Sequence, residues 1–141
     1  MNYIKIEAKK GDFICSGEQL KEVLLKIKSY IKDSYFYFFD VQTVSGGYLA
    51  MNCGNMNSVC EFTSLEGILE KVMTVDQFIS GVLIISQKKL DTEKMIPIDT
   101  EYDMKMQLSS ALIEIRMFDT SWFECYTENE AITKELKKIS F

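Results

Sequence analysis

The sequence predicts an α+β domain with a mixed or mainly antiparallel sheet and about three helices packed on it. Predicted strands that follow one another in the chain are joined by short turns, and amphipathic helical segments are few. The predicted order is β, α, β-β-β, α, β, β-β, α, in which hairpin neighbours favour antiparallel pairing. The chain contains no linker, repeat or low-complexity tract, so residues 1–141 are expected to form a single domain.

The amino-terminal part contains the clearest helix. Residues 2–8 alternate between polar and apolar side chains as a strand does, and residues 12–15 extend or follow that strand. Ser16 and Gln19 have the spacing of a capping box, so a helix is predicted over residues 17–33. Its apolar stripe repeats at three- and four-residue steps and comprises Leu20, Val23, Leu24, Ile27, Tyr30 and Ile31.

Further strands are predicted from aromatic and β-branched content. Residues 35–44 are predicted as a strand, and the first five are apolar on both faces, which is typical of an interior strand. Ser45, Gly46 and Gly47 predict a turn, after which residues 48–51 are expected to return antiparallel. Short strands are then predicted over residues 58–62 and 81–86, and an alternating hairpin over 112–118 and 121–126 with its turn at Asp119 and Thr120.

The remaining helical segments are predicted from capping pairs. The pairs are Thr63 with Glu66 for a helix over 64–73, Thr74 with Gln77 for a helical turn over 75–81, and Thr127 with Glu130 for the last helix. Residues 87–107 form a polar connection without periodicity. A connection of that length is often functional or mobile.

The residue types present exclude several kinds of chemistry. The chain has no histidine, so triads and dyads built on Ser–His or Cys–His and sites built on zinc–His are excluded. Its glycines do not form a phosphate-binding loop. The four cysteines, Cys15, Cys53, Cys60 and Cys125, are interpreted as free thiols in preference to disulfides or metal ligands, and three of them as small buried apolar side chains. We therefore predict no catalytic residue, cofactor or metal site.

Acidic charge is concentrated in one part of the chain. Residues 91–130 contain ten carboxylates and three basic side chains, whereas residues 1–60 have a net charge of +1. An acidic face repels nucleic acid and anionic membranes and attracts a basic partner. No apolar run of 18 residues and no export signal are recognisable, so we expect a cytoplasmic protein with no membrane or nucleic-acid partner.

Two constellations are candidate sites. Asp99, Glu101 and Asp103 occupy alternate positions, and in an extended segment their side chains would project to one side. Such a run can be a solvated loop, an acidic docking strip, or a catalytic or calcium site. In the terminal hairpin, Trp122, Glu124 and Tyr126 share one parity, opposite Phe123 and Cys125, while Glu114 and Arg116 share a face of the preceding strand. Trp122 and Tyr126 either cover the core under the last helix or belong to an aromatic and acidic binding surface, and the two interpretations are compatible.

Two segments resemble a known class of proteins. Residues 96–101 (Ile-Pro-Ile-Asp-Thr-Glu) and 112–127 (Leu-Ile-Glu-Ile-Arg-Met-Phe-Asp-Thr-Ser-Trp-Phe-Glu-Cys-Tyr-Thr) resemble small acidic immunity proteins that accompany polymorphic or contact-dependent toxins. The resemblance implies a heterodimer with one cognate toxin domain, commonly a basic nuclease, whose active site or substrate surface is blocked in the cytoplasm. No immunity residue transfers by position.

Charge and expected exposure select the candidate partner-binding residues. They are Asp99, Glu101, Tyr102, Asp103, Asp119, Trp122, Glu124 and Tyr126. The main alternative is a non-catalytic regulatory or adaptor domain that binds another protein. A second alternative is a carboxylate-based hydrolase that uses Asp99, Glu101 or Glu124.

Overall fold

A computed structural model describes residues 2–7 and 15–141. The elements of this part are β1 (Asn2–Glu7), α1 (Gly17–Lys26), α2 (Lys28–Ile31), β2 (Tyr35–Thr43), α3 (Tyr48–Asn52), β3 (Val59–Phe62), α4 (Leu65–Val72), β4 (Phe78–Ser86), α5 (Thr92–Met95), β5 (Ile113–Phe118), β6 (Trp122–Thr127) and α6 (Glu130–Lys137). The strands form one sheet in the order β1-β6-β5-β4-β2-β3, and every pair is antiparallel. The α+β prediction is confirmed.

The two faces of the sheet are covered differently. On the first face, helices α1, α4 and α6 bury Leu24, Ile68 and Leu136 in one main core with strand residues such as Phe38 and Ile115. On the second face, the connection between β4 and β5 forms a smaller core. Its Met95 and Ile98 pack with Tyr37, Phe39, Val82 and Ile84 of strands β2 and β4. The sheet is therefore the middle layer of the fold.

Helix α1 begins where the sequence predicts. Ser16 Oγ accepts a hydrogen bond from the Gln19 backbone N–H at 3.0 Å, and Gln19 Oε1 accepts one from the Ser16 N–H at 3.2 Å. The predicted helix over 17–33 is divided at Ile27, after which the short helix α2 follows. Five residues of the predicted stripe are fully buried, and Tyr30 is exposed.

One predicted strand is a helix. Residues 48–51 form α3 instead of returning antiparallel, and the strand that pairs with β2 is β3. Gly46 and Gly47 both have positive φ, which lets the chain turn directly into α3, where the Gly47 carbonyl accepts the Met51 N–H. The turn residues Ser45, Gly46 and Gly47 predict a hairpin, but after them the chain continues as a helix, for which Leu49, Ala50 and Met51 have high propensity.

Three predicted capping residues are wrong, and in each case the geometry of neighbouring polar residues explains why. Ser64, next to Thr63, caps α4 by accepting the Gly67 N–H. The Thr74 hydroxyl donates to the Lys71 carbonyl, so it closes α4 and the helical turn over 75–81 is replaced by the start of β4. Asn129 caps α6, because the Thr127 hydroxyl instead donates to the Leu112 carbonyl and accepts the Asn129 N–H.

All four cysteines are buried and carry free thiols. Cys15 lies outside any strand, and residues 12–14 of the strand predicted over 12–15 lie outside the described residues. The Cys15 thiol lies 2.8 Å from the Trp122 carbonyl oxygen, and burial raises its pKa to about 12. A thiol held protonated in this way packs as a small apolar side chain.

Replacing Leu24 by Ala is expected to lower the free energy of unfolding by about 2–5 kcal/mol, because a fully buried leucine leaves a cavity in a close-packed core. Leu24 is 0% exposed, whereas its neighbour Leu25 is 41% exposed. Leu25→Ala on the same helix is the matched control and should cost less than about 1 kcal/mol. Chemical denaturation that gives equal losses for the two variants would contradict this packing.

Candidate functional site

The second face of the sheet has a covered half and an open half. The connection between β4 and β5 packs over strands β2 and β4, which form the covered half. Strands β6 and β1 form the open half, and they pair so that Tyr3 faces Tyr126, Lys5 faces Glu124 and Glu7 faces Trp122. Residues from both ends of the chain therefore share this surface.

A buried ion pair lies at the boundary between the two halves. Glu114 and Arg116 side chains are both 0% exposed, and Arg116 Nε donates to Glu114 Oε2 at 2.6 Å. The remaining guanidinium nitrogens donate to backbone carbonyls of the connection, namely those of Tyr102 at 2.9 Å, Asp103 at 3.0 Å, and Lys105. Glu114 and Arg116, which the sequence predicts to share a strand face, therefore hold the connection between β4 and β5 against the sheet. We call this pair the clamp.

Glu114 holds the same loop from the other side. Its Oε1 accepts the Gln107 backbone N–H at 2.8 Å, and its Oε2 accepts the Gln107 side-chain amide at 3.0 Å. Gln107 in turn exchanges two hydrogen bonds of 2.9 Å with the backbone of Asp99. Residues 99–107, which we call the acidic loop, are therefore closed at both ends and fixed to the sheet.

A third attachment of the acidic loop comes from a β-bulge. The register of β2 shifts between Phe39 and Gln42, and Asp40 within this bulge has positive φ. Asp40 Oδ2 accepts both the backbone N–H and the hydroxyl of Thr100, at 3.1 and 2.8 Å, and the Thr100 hydroxyl oxygen accepts the Gly81 N–H. Bulges commonly redirect a side chain in this way.

The three carboxylates of the acidic loop do not lie along an extended segment. The chain turns here: the Tyr102 N–H bonds to the Asp99 carbonyl, and Asp99 Oδ1 accepts the Glu101 N–H at 2.9 Å. Asp99 is half-buried in this role, while Glu101 and Asp103 are exposed. The two exposed carboxylates accompany two exposed apolar side chains, Tyr102 at 42% and Met104 at 65%.

Glu124 is the centre of the open half. Its carboxylate accepts Trp122 Nε1–H at 2.8 Å and the Tyr126 hydroxyl at 2.6 Å. Burial, then the charge of Glu124 and a hydrogen bond to it, raise the pKa of Tyr3. Burial and the hydrogen bond to Glu124 likewise raise the pKa of Tyr126, so both hydroxyls stay neutral. We call Tyr3, Trp122, Glu124 and Tyr126 the aromatic-acidic cluster.

The rings of this cluster are packed in a layer. Trp122 stacks on Phe118 with ring centroids 5.5 Å apart, and Lys5 Nζ lies 4.5 Å from the Trp122 ring centroid. The Tyr126 ring lies 5.3 Å from that of Tyr3 and 4.3 Å from the Arg116 guanidinium carbon. Trp122 and Tyr126 therefore lie on the second face, and α6 packs on the first.

The structure brings together most of the predicted site residues. Asp99, Glu101, Tyr102 and Asp103 belong to the acidic loop, while Trp122 and Glu124 belong to the cluster. Tyr126 is 0% exposed, so its ring supports Glu124 and offers no surface of its own. Asp119 lies exposed in the β5–β6 turn, where its N–H donates to the Ile79 carbonyl.

Sequence reasoning missed the contribution of β1. Tyr3 and Lys5 reach the cluster only because the first and sixth strands pair, and alternation within residues 2–8 gave their face but not their neighbours. Met104 was also missed, since its exposure depends on how the acidic loop turns. The one available indication in the sequence was the alternation of β1, which places Tyr3 and Lys5 together on its exposed face.

Among residues 2–7 and 15–141, no group of three His, Cys, Asp or Glu side chains is placed to hold a metal ion. A cleft of about 670 Å³ is lined by residues including Lys28, Lys32, Tyr35 and Ser64, and no predicted site residue lies in it. No helix in the described part of the chain is long and apolar enough to cross a membrane.

The fold and this face define an α+β protein whose antiparallel sheet carries a loop-covered half and an open half rich in aromatic and acidic side chains. Comparisons with protein-family models, with curated proteins and with solved structures find no match for this chain.

Proposed function

We propose that this chain is a non-catalytic inhibitor that binds a basic surface of another protein through the acidic loop and the aromatic-acidic cluster. The particular role we propose is that of an immunity protein, which neutralises one cognate toxin domain, such as a basic nuclease, in the cytoplasm. The partner's lysine and arginine side chains, which otherwise contact phosphates, would pair with the exposed carboxylates.

The observation that carries this proposal is the clamp under the acidic loop. A buried ion pair costs desolvation energy that its own attraction only partly offsets. Here the hydrogen bonds that compensate Arg116 and Glu114 go to the backbone of Tyr102, Asp103, Lys105 and Gln107. A solvent-exposed loop that only connects two strands needs no such support. A recognition loop, in contrast, gains affinity when its bound conformation is already fixed.

The side chains presented by the clamp have the composition of a protein interface. Tyr102 and Met104 are exposed apolar groups flanked by the exposed carboxylates of Glu101 and Asp103. Aromatic and methionine side chains are enriched in the centres of interfaces, and charges in the rim mainly steer the approach of the partner.

Tyr102 provides a direct test. Its hydrogen bond to Arg116 is made by the backbone carbonyl, so Tyr102→Ala keeps that bond and removes the exposed ring, whose centroid lies 5.9 Å from the Arg116 guanidinium carbon. The chain should be mixed with the products of the genes on either side of its own, and binding and loss of the captured partner's activity should be measured. We expect Tyr102→Ala to weaken binding by about fivefold or more, as for a contact at the centre of an interface.

Tyr48 is the matched control. It is 45% exposed, and its ring also lies beside a lysine, Lys71, as Tyr102 lies beside Lys105. Tyr48→Ala should leave binding unchanged. Equal effects of both variants, or no binding by either neighbouring gene product, would contradict the proposal. A partner that binds through Tyr102 but keeps its full activity would favour the regulatory or adaptor function.

A further inference from the structure

We infer that the aromatic-acidic cluster is a receptor for one arginine side chain of the basic partner, an inference that rests on the proposed function. Glu124 would form the ionic contact, and the rings of Tyr3 and Trp122 would form the walls. The inference rests on three observations: the hydrogen-bond donors of Glu124, the position of Lys5, and Arg116, which the chain already holds between a carboxylate and two aromatic rings.

The donors that hold Glu124 are neutral. One carboxylate oxygen accepts from the Trp122 indole and the other from the Tyr126 hydroxyl. No lysine or arginine nitrogen of the described residues lies within 4.0 Å of this carboxylate, so it has no direct ion-pair partner among them. A carboxylate has about four acceptor positions. The Trp122, Tyr126 and Tyr3 donors leave one of them for a cation that approaches from the half-exposed side.

Lys5 shows that the walls accept a cation. It stands directly opposite Glu124 in the β1–β6 register, yet its ammonium group lies over the Trp122 ring and 3.5 Å from Glu7. The Lys5 side chain is 40% exposed, so it can leave the ring without unfolding the strand. Lys5 therefore occupies part of the site that the partner's cation would take.

The adjoining strand indicates that the cation is a guanidinium. Arg116 pairs with Glu114 while its guanidinium carbon lies 4.3 Å from the Tyr126 ring centroid and 5.9 Å from that of Tyr102. The same combination of one carboxylate and two aromatic rings is repeated around Glu124. A planar guanidinium can stack on a ring and still donate two parallel hydrogen bonds, which an ammonium cannot do.

The test uses the chain's single tryptophan. Trp122 gives one indole N–H resonance, whose proton is donated to Glu124. The full chain should be titrated at low, constant ionic strength with an arginine residue blocked at both ends, and in parallel with blocked lysine. We expect a saturable shift of the indole resonance with tighter binding of the arginine probe, and about tenfold weaker binding in Glu124→Gln.

Two further variants make the outcome decisive. Glu61→Gln removes one carboxylate from the same sheet face on the opposite edge strand, and it should bind the probe as the parent does. Lys5→Gln removes the resident ammonium and should bind about threefold more tightly, in line with an exposed cation–π contact. Folding of each variant is checked by its amide spectrum.

The inference fails if the indole shift is absent, does not saturate, or persists unchanged in Glu124→Gln. A Lys5→Gln variant that binds no more tightly would contradict the placement of the cation on the Trp122 ring. These results are separate from those of the proposed function, because the probe needs no partner. A partner that binds through Tyr102 while the probe does not bind would refute this receptor alone.

Discussion

Replacing Arg116 by Met is expected to lower the free energy of unfolding by about 3–5 kcal/mol. The change leaves the Glu114 carboxylate buried with no cation, which is more costly than the loss of an apolar contact. It also removes the donor for the carbonyls of Tyr102, Asp103 and Lys105. Chemical denaturation measures the loss, and amide hydrogen exchange in the acidic loop should accelerate as the clamp is removed.

A double variant separates charge burial from packing. Glu114→Leu with Arg116→Met removes both charges together, and it should be more stable than the sum of the two single changes predicts. The difference is the coupling free energy of the pair. An Arg116→Met variant that loses less than about 1 kcal/mol, with unchanged exchange in the loop, would show that the clamp does not hold the loop.

The parts of the fold that the sequence could predict are those decided by neighbouring residues. Helix α1 begins at a capping box made within four residues and buries a stripe of close spacing. Caps were misplaced where two polar residues competed, as at Thr63 and Ser64, because backbone dihedrals determine which oxygen reaches the helix N–H groups. Helix α3 was predicted as a strand because the turn residues before it are typical of a hairpin, whereas Gly46 and Gly47 with positive φ lead the chain into a helix.

The candidate site depends more on distant contacts. The parity of Trp122, Glu124 and Tyr126 followed from strand alternation, and their contacts agree with it. The burial of Glu114 and Arg116 could not be predicted, because it requires the acidic loop to cross β5. Tyr3 joins Tyr126 only through pairing of strands more than a hundred residues apart, for which one sequence holds no signal.

The acidic loop is expected to speed association with a basic partner, and this effect can be measured separately from affinity. Asp99→Asn, Glu101→Gln and Asp103→Asn together remove three negative charges, and asparagine at 99 keeps the oxygen that accepts the Glu101 N–H. If these carboxylates steer a basic partner, association of the triple variant should be about tenfold slower at low salt. At high salt the difference should shrink, because long-range attraction is screened beyond a Debye length of roughly 8 Å at physiological ionic strength.

A second triple variant controls for net charge. Glu61, Glu66 and Glu70 are exposed on β3 and α4, away from the acidic loop, and their replacement by Gln removes the same total charge. Because steering depends on where charge lies on the surface, this control should associate at nearly the parent rate while dissociation changes little in either variant. Equal slowing in both would show that only net charge matters. Association that is unchanged and independent of salt would show that the acidic loop is solvated surface, and that the clamp beneath it holds a structure the partner does not use.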